Sequence, residues 1–182
     1  MYNHSTQRPR QERRIESVRT RVAVAFTGPS NSGKTTLVEK VARKLIATRK
    51  VAIIKNDPKD KAQFDVEGKD SWKFFQTGAE VVVTSPTRTT YFSHREKRLD
   101  EIVSMVNDFD ILLVEGLKTL PLPRIAIFRN KIDESYFDCS EAIAIDDTIN
   151  PDEYNIPAHI DILDLNNLDA VLKWIDTHAK AI

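Results

Sequence analysis

Residues 28–36 read Gly28, Pro29, Ser30, Asn31, Ser32, Gly33, Lys34, Thr35 and Thr36, and their spacing, G-x-x-x-x-G-K-[ST], is that of a loop that cradles phosphates. Glycines let the backbone curl until successive amide N–H groups converge on one point. A helix opening at Lys34 adds the positive end of its dipole, equivalent to about half a charge. In such a loop Lys34 reaches the β- and γ-phosphates of a nucleoside triphosphate, the Thr35 hydroxyl takes Mg²⁺, and Thr36 supports the helix start beside the α-phosphate. The chain has only five glycines and spends two of them around this lysine.

A loop of this kind needs a carboxylate for the metal's water shell, normally at the end of a nearby apolar strand. The stretch "FDILLVEGLK" supplies Glu115 after Ile111–Val114, with Gly116 next. Asp110, at the start of that strand, falls on the wrong edge and reads as a strand-entry residue. From "FDVEGKDSW", Asp65 is a candidate to approach the metal or the attacking water, while Asp70 suits the first turn of a helix on dipole grounds. Lys55, Lys69 and Lys118 are candidates for a cationic rim around phosphates or substrate, or simply solubilise loop edges. Asn130, Lys131, Ile132 and Asp133 spell N-K-x-D directly after a strand-like run. In GTPases that pattern reads guanine, because the aspartate accepts from the ring N1–H and the exocyclic amine and would be left unpaired by adenine. Asp146, in "AIAIDD", is a second candidate for the base. No residue is marked as an arginine finger or a water-positioning glutamine; Gln63, Gln76, Arg88 and Arg95 are candidates by proximity alone, so slow hydrolysis is the expectation.

Such residues must be held on one edge of a scaffold, and the apolar pattern describes it. Continuous apolar runs at Val22–Thr27, Val51–Lys55, Glu80–Thr84, Ile111–Glu115, Arg124–Phe128 and Ala142–Ile145 predict strands covered on both faces. Helical spacing predicts helices over Lys34–Arg49, Lys69–Thr77 and Glu96–Asn107, and a last one carrying Leu168, Val171, Leu172 and Ile175. The alternation predicts an α/β fold of the P-loop NTPase type, a mostly parallel twisted sheet with helices on both faces. Long polar connections at Asn56–Gly68, Ser85–Arg95 and Asn130–Ser140 would sit on the ligand-binding edge.

The 182 residues suit a single domain over 21–182 behind a polar, Arg-rich tail at 1–20 for which disorder is expected. Basic and acidic residues balance at 27 each, so no global field points to nucleic acid or a membrane surface. No apolar stretch approaches the roughly 20 residues of a membrane span. The lone cysteine, Cys139, rules out an internal disulfide framework, fits a reducing compartment and reads as inert. His4, His94, His159 and His178 lack zinc-ligand spacing.

On "VAVAFTGPSNSGKTTL", "FDVEGKDSWKFFQTGAEVVVTS", "DILLVEGLK", "RIAIFR" and "DILDLNNLDAVLKWI", the chain resembles the molybdopterin-guanine dinucleotide biosynthesis adaptor protein B family over about residues 21–180. The resemblance implies a cytoplasmic, homodimeric GTP-binding protein with weak Mg²⁺-dependent GTPase activity. Such a protein assists a separate nucleotidyltransferase that joins GMP to molybdopterin, and molybdopterin itself or molybdoenzyme targets are further partners the resemblance implies. The sequence departs from the family at "KNDPKDKAQFD", where Asn56 and Asp57 replace a Lys-His-x-His-like stretch, and in carrying N-K-x-D, which the family does not rely on. Two other functional classes use the same loop. One is a small-molecule kinase, with Thr87–Arg98 as an arginine-bearing lid; the other is a metallochaperone-type GTPase, against which the sparse Cys and His count.

Overall fold

The structure, a computed structural model, describes residues 20–182; of the tail expected at 1–20, residues 1–19, His4 among them, lie outside the described residues. In chain order its elements are β1 (Val22–Thr27), α1 (Lys34–Leu45), β2 (Val51–Lys55), α2 (Asp70–Phe75), β3 (Val81–Ser85), β4 (Arg88–Phe92), α3 (Leu99–Val106), β5 (Ile111–Glu115), β6 (Arg124–Phe128), β7 (Ala142–Ile145), β8 (Asp161–Asp164), α4 (Leu168–His178) and β9 (Lys180–Ala181). Two 3₁₀ turns, Glu134–Cys139 and Pro151–Glu153, stand on either side of β7 in the chain.

The main sheet runs β2-β5-β1-β6-β7-β8, all parallel, with short β9 pairing antiparallel to Val22 and Ala23 at the start of β1. The central strands β1, β5, β6 and β7 are buried almost throughout, which is why they read as unbroken apolar runs. One face packs on α1 and α4 through Leu37, Val38, Val41, Leu45, Val171, Trp174 and Ile175. Each such buried aliphatic side chain contributes roughly 1.5–3 kcal/mol as an upper estimate. The other face is covered by half-buried Leu99, Ile102 and Val103 of α3 on one side and by the 3₁₀ segments on the other. No helix among the described residues is long and apolar enough to cross a membrane.

Three expectations change. The run at Val81–Ser85 does not enter the parallel sheet but forms a separate two-stranded antiparallel hairpin with β4, closed by Pro86 and Thr87. Half of the supposed polar connection Ser85–Arg95 is therefore strand, because the β-branched and aromatic residues Thr89–Phe92 answer Val81–Thr84 across a two-residue turn. Helix α1 stops at Leu45, four residues short of Arg49, where Thr48 N–H and Oγ1 both turn back to the Leu45 carbonyl. Strand β8 was not predicted: its Asp-Ile-Leu-Asp sequence alternates, with only Leu163 buried, as befits the edge of the sheet.

Candidate functional site

Every parallel strand of the sheet delivers its C-terminal end to the same edge, and the register there fixes the neighbours. Phe26 of β1 pairs beside Glu115 of β5, which pairs on its other side with Lys55 of β2. The carboxylate thus stands one strand from the loop that leaves β1. That loop is curled as the chemistry requires. Gly28 has φ +138° and backs onto β6, where a Cβ would meet the Ile127 carbonyl oxygen at 2.4 Å. Asn31 (φ 63°) and Gly33 (φ 94°) are both left-handed, turning the chain into α1. No side chain caps α1, so its first-turn amides have no side-chain partner at the helix start.

Ser32 is buried, and its Oγ has no partner; the position a Gly28 Cβ would occupy is 3.0 Å from it. Lys34 Nζ donates to the Pro29 carbonyl at 2.7 Å, within the loop itself. Burial lowers the Lys34 pKa from its ordinary value, opposed by the attraction of Glu115 and joined by the repulsion of Lys55. A half-buried ammonium closing a curl of backbone donors is arranged for a multiply charged anion. Ser30, Thr35 and Thr36 are exposed on the same loop and first helical turn.

Lys34, Gly28, Glu115, Lys118 and Asn56 line one cleft of about 440 Å³. Thr35, Lys55 and Glu115 line an adjoining groove along α1 and β2. Thr35 and Glu115 together fit magnesium held by a polyphosphate, which takes one or two protein oxygens and leaves the rest to water and phosphate. Among the described residues no group of three or more His, Cys, Asp or Glu stands together as a metal site. Lys118 also packs its ammonium 3.5 Å over the Tyr136 ring.

Other predicted residues lie elsewhere. Asp65 and Lys69 are not among the residues lining the cleft; Asp65 Oδ1 accepts from Val66 N–H and Ser71 Oγ, bracing the connection against α2, and Lys69 is the residue before α2. Asp133 accepts from Ser135 N–H at 3.1 Å and Ser135 Oγ at 2.6 Å, capping the first 3₁₀ turn, and these bonds hold its pKa below the usual carboxylate range. The backbone N–H of Asn130 donates to Thr148 Oγ1 at 2.8 Å, and Lys131 is exposed. Asp146 accepts from Thr148 and pairs with Arg129 Nε at 3.2 Å. Two of the three arginines of the supposed lid are paired, Arg95 with Glu101 and Arg98 with Asp100, both partners at the start of α3; the third, Arg88, is exposed at the start of β4.

Three residues near the site carry no assigned role in the sequence pattern. Asn56 donates its N–H to the Glu115 carbonyl and packs against Gly116, where a Cβ would meet it at 3.1 Å. Its place just past a predicted strand was the available signal. Arg124 is buried, and its guanidinium donates to the carbonyls of Leu117, Lys118, Leu120 and Cys139, tying down the segment that follows Glu115; an arginine opening an apolar strand was the clue. Arg129, the polar residue closing "RIAIFR", lies against Gly33.

Against known proteins, residues 23–147 match the family model described as molybdopterin guanine dinucleotide synthesis protein B. The molybdopterin-guanine dinucleotide biosynthesis adapter protein of Haemophilus influenzae is 32% identical over 161 residues, covering 84% of this chain and 86% of that protein. The protein of the same name from Escherichia coli is 28% identical over 166 residues, covering 84% and 92%. Among solved structures, Bacillus subtilis MobB superposes with a TM-score of 0.70 at 21% identity, covering 87% of this chain and 98% of that one.

Proposed function

Because the chain belongs to the molybdopterin guanine dinucleotide synthesis protein B family, we propose that it is an adapter in molybdopterin guanine dinucleotide biosynthesis that binds GTP with Mg²⁺ in the cleft at the end of β1. It works in the cytoplasm as a homodimer beside a separate nucleotidyltransferase that joins GMP to molybdopterin. The observation that supports this most is the curled loop at Gly28–Thr35: a glycine with no room for a Cβ, a half-buried lysine folded onto a loop carbonyl and a strand-end glutamate all face one cleft.

Each residue has a task that follows from its chemistry. The loop amides and the start of α1 take the phosphate oxygens. A polyphosphate draws the Lys34 ammonium away from the Pro29 carbonyl, since a charge-assisted bond to phosphate is about twice as strong as one to a neutral carbonyl. The Thr35 hydroxyl and Glu115 would hold Mg²⁺, directly or through its water, and the ion's chemistry is to neutralise charge developing on the phosphates. Lys55 and Lys118 close the rim. Arg95 and Arg98, just before α3, pair with Glu101 and Asp100, and no arginine is among the residues lining the cleft, so hydrolysis without a partner is slow, and the protein holds or presents its nucleotide.

The test is a titration of the full chain with GTP and with ATP in Mg²⁺, on wild type and Lys34→Ala. Tight, lysine-dependent binding is expected. A wild-type protein that ignores both nucleotides would refute the reading.

A further inference from the structure

A second cavity, of about 540 Å³, lies at the edge of the sheet opposite the phosphate loop. Its walls include Arg124, the first residue of β6, Glu141, just before β7, and His159, two residues before β8. Two of its polar wall residues are almost wholly buried, Arg124 at 2% exposure and Ser140 at 5%. A guanidinium has five N–H donors. Four on Arg124 go to the carbonyls of Leu117, Lys118, Leu120 and Cys139, and the fifth, on Nε, has no acceptor. All four acceptors are neutral. The carboxylate beside it, Glu141, takes the Arg124 backbone N–H at 2.7 Å instead of the guanidinium. Burial accordingly lowers the Arg124 pKa from its ordinary value, opposed by Cys139 and Glu141. Among the described residues the Ser140 hydroxyl has as partner only the Cys139 thiol, at 3.9 Å.

A buried N–H without an acceptor and a buried charge without a counter-charge are each costly. One group relieves both, an oxygen that carries negative charge. We propose that this cavity binds a small monocarboxylate, whose oxygens accept from Arg124 Nε and Ser140 Oγ and whose apolar body lodges against Leu122 and Phe137, both buried wall residues. The rim sets the charge of the ligand. Exposed Lys118 is matched there by the exposed carboxylates of Asp138 and Glu141. The buried guanidinium therefore accommodates one negative charge, whereas a polyphosphate would meet the two carboxylates. The phosphate cleft shares only Lys118 and Leu120's neighbour Thr119 with this strap of chain, and the second cavity stands independently of nucleotide binding.

Benzoate and benzamide are suitable probes, because they share a shape and differ in the charge of the group meant for Arg124. Each is titrated into the isotope-labelled full chain and followed by NMR. Benzoate is expected to shift the Arg124 Nε–H and Ser140 amide signals saturably and to bind about tenfold or more tightly than benzamide, as a hydrogen bond to a charged group allows. Ser140→Ala is expected to weaken benzoate by about 5- to 10-fold, the loss of one hydrogen bond, while its melting curve stays close to wild type. Equal binding of the two probes would reduce the cavity to an apolar pocket and overturn the assignment. So would benzoate shifts confined to Gly28–Thr35, which would place the acid in the phosphate cleft. No saturable shift at Arg124 in the wild type, or full benzoate affinity in Ser140→Ala, would overturn it as well.

Discussion

Lys34 carries the largest consequence of any single side chain. It donates to the Pro29 carbonyl, and under the proposed function that bond gives way to phosphate. Lys34→Ala is expected to weaken GTP by about 10- to 150-fold, the worth of one charge-assisted hydrogen bond, with little change in thermal midpoint; calorimetric titration beside a melting curve separates the two. Gly28→Ala is a different kind of change. A methyl 2.4 Å from the Ile127 carbonyl, at φ +138°, costs about 2–5 kcal/mol of folding stability and is read by chemical denaturation. Arg124→Met leaves four backbone carbonyls without their donor. It is expected to cost about 3 kcal/mol or more, and nucleotide affinity falls as well because the segment bearing Lys118 loses its anchor. The phosphate loop and Glu115 could be read from residue order, because their chemistry depends on spacing along the chain and on a strand ending. Arg124 and Arg129 could not, since their partners lie on segments distant in sequence.

Elements show where local pattern stops being informative. Val81–Ser85 has the composition of a buried central strand, yet Val82 and Val83 are 57% and 41% exposed in a two-stranded ribbon. Consecutive strand residues face opposite sides, so the ribbon is open on both. Helix α3 is short, and its N-terminus depends on one carboxylate: Glu101 accepts from Arg98 N–H and pairs with Arg95 at 2.7 Å, which holds its pKa down to about 2. A carboxylate depressed in the folded state adds stability that is complete above its ordinary value near 4.5 and is lost as pH falls toward about 2. Glu101→Gln is therefore expected to lower the thermal midpoint at neutral pH and to converge on wild type in acid, as a series of melting curves between these limits would show. Convergence at neutral pH instead would mean that the pair contributes nothing.

At the scale of the molecule, a hairpin of two strands is marginal by itself, and the exposed valines of β3 offer a second copy the apolar surface it would need. The homodimer of the proposed function is expected to use this ribbon. Val82→Asp together with Val83→Asp should shift the sedimentation coefficient from dimer to monomer while leaving the fold intact by circular dichroism; a wild type that sediments as a monomer at micromolar concentration would remove the dimer. Isolated protein is expected to turn over GTP on the order of 10⁻⁴–10⁻² s⁻¹, the range of P-loop GTPases without an arginine supplied by a partner, measured by phosphate release. Metabolic rates in the absence of the nucleotidyltransferase would make it an enzyme in its own right rather than an adapter.

The order of residues along the chain determined the α/β architecture, the curled Gly28–Thr35 loop and the glutamate that lines its cleft. These features rest on apolar periodicity, on glycine's freedom to adopt positive φ and on motif spacing, all of which are local. The tertiary structure alone decided that β3 leaves the main sheet, that Asp133 caps a 3₁₀ turn while Asp146 pairs with Arg129, and that Arg129 reaches the loop at Gly33. Each of these is a choice between partners far apart in sequence, and such a choice is made by packing and by the satisfaction of buried polar groups rather than by any neighbouring residue.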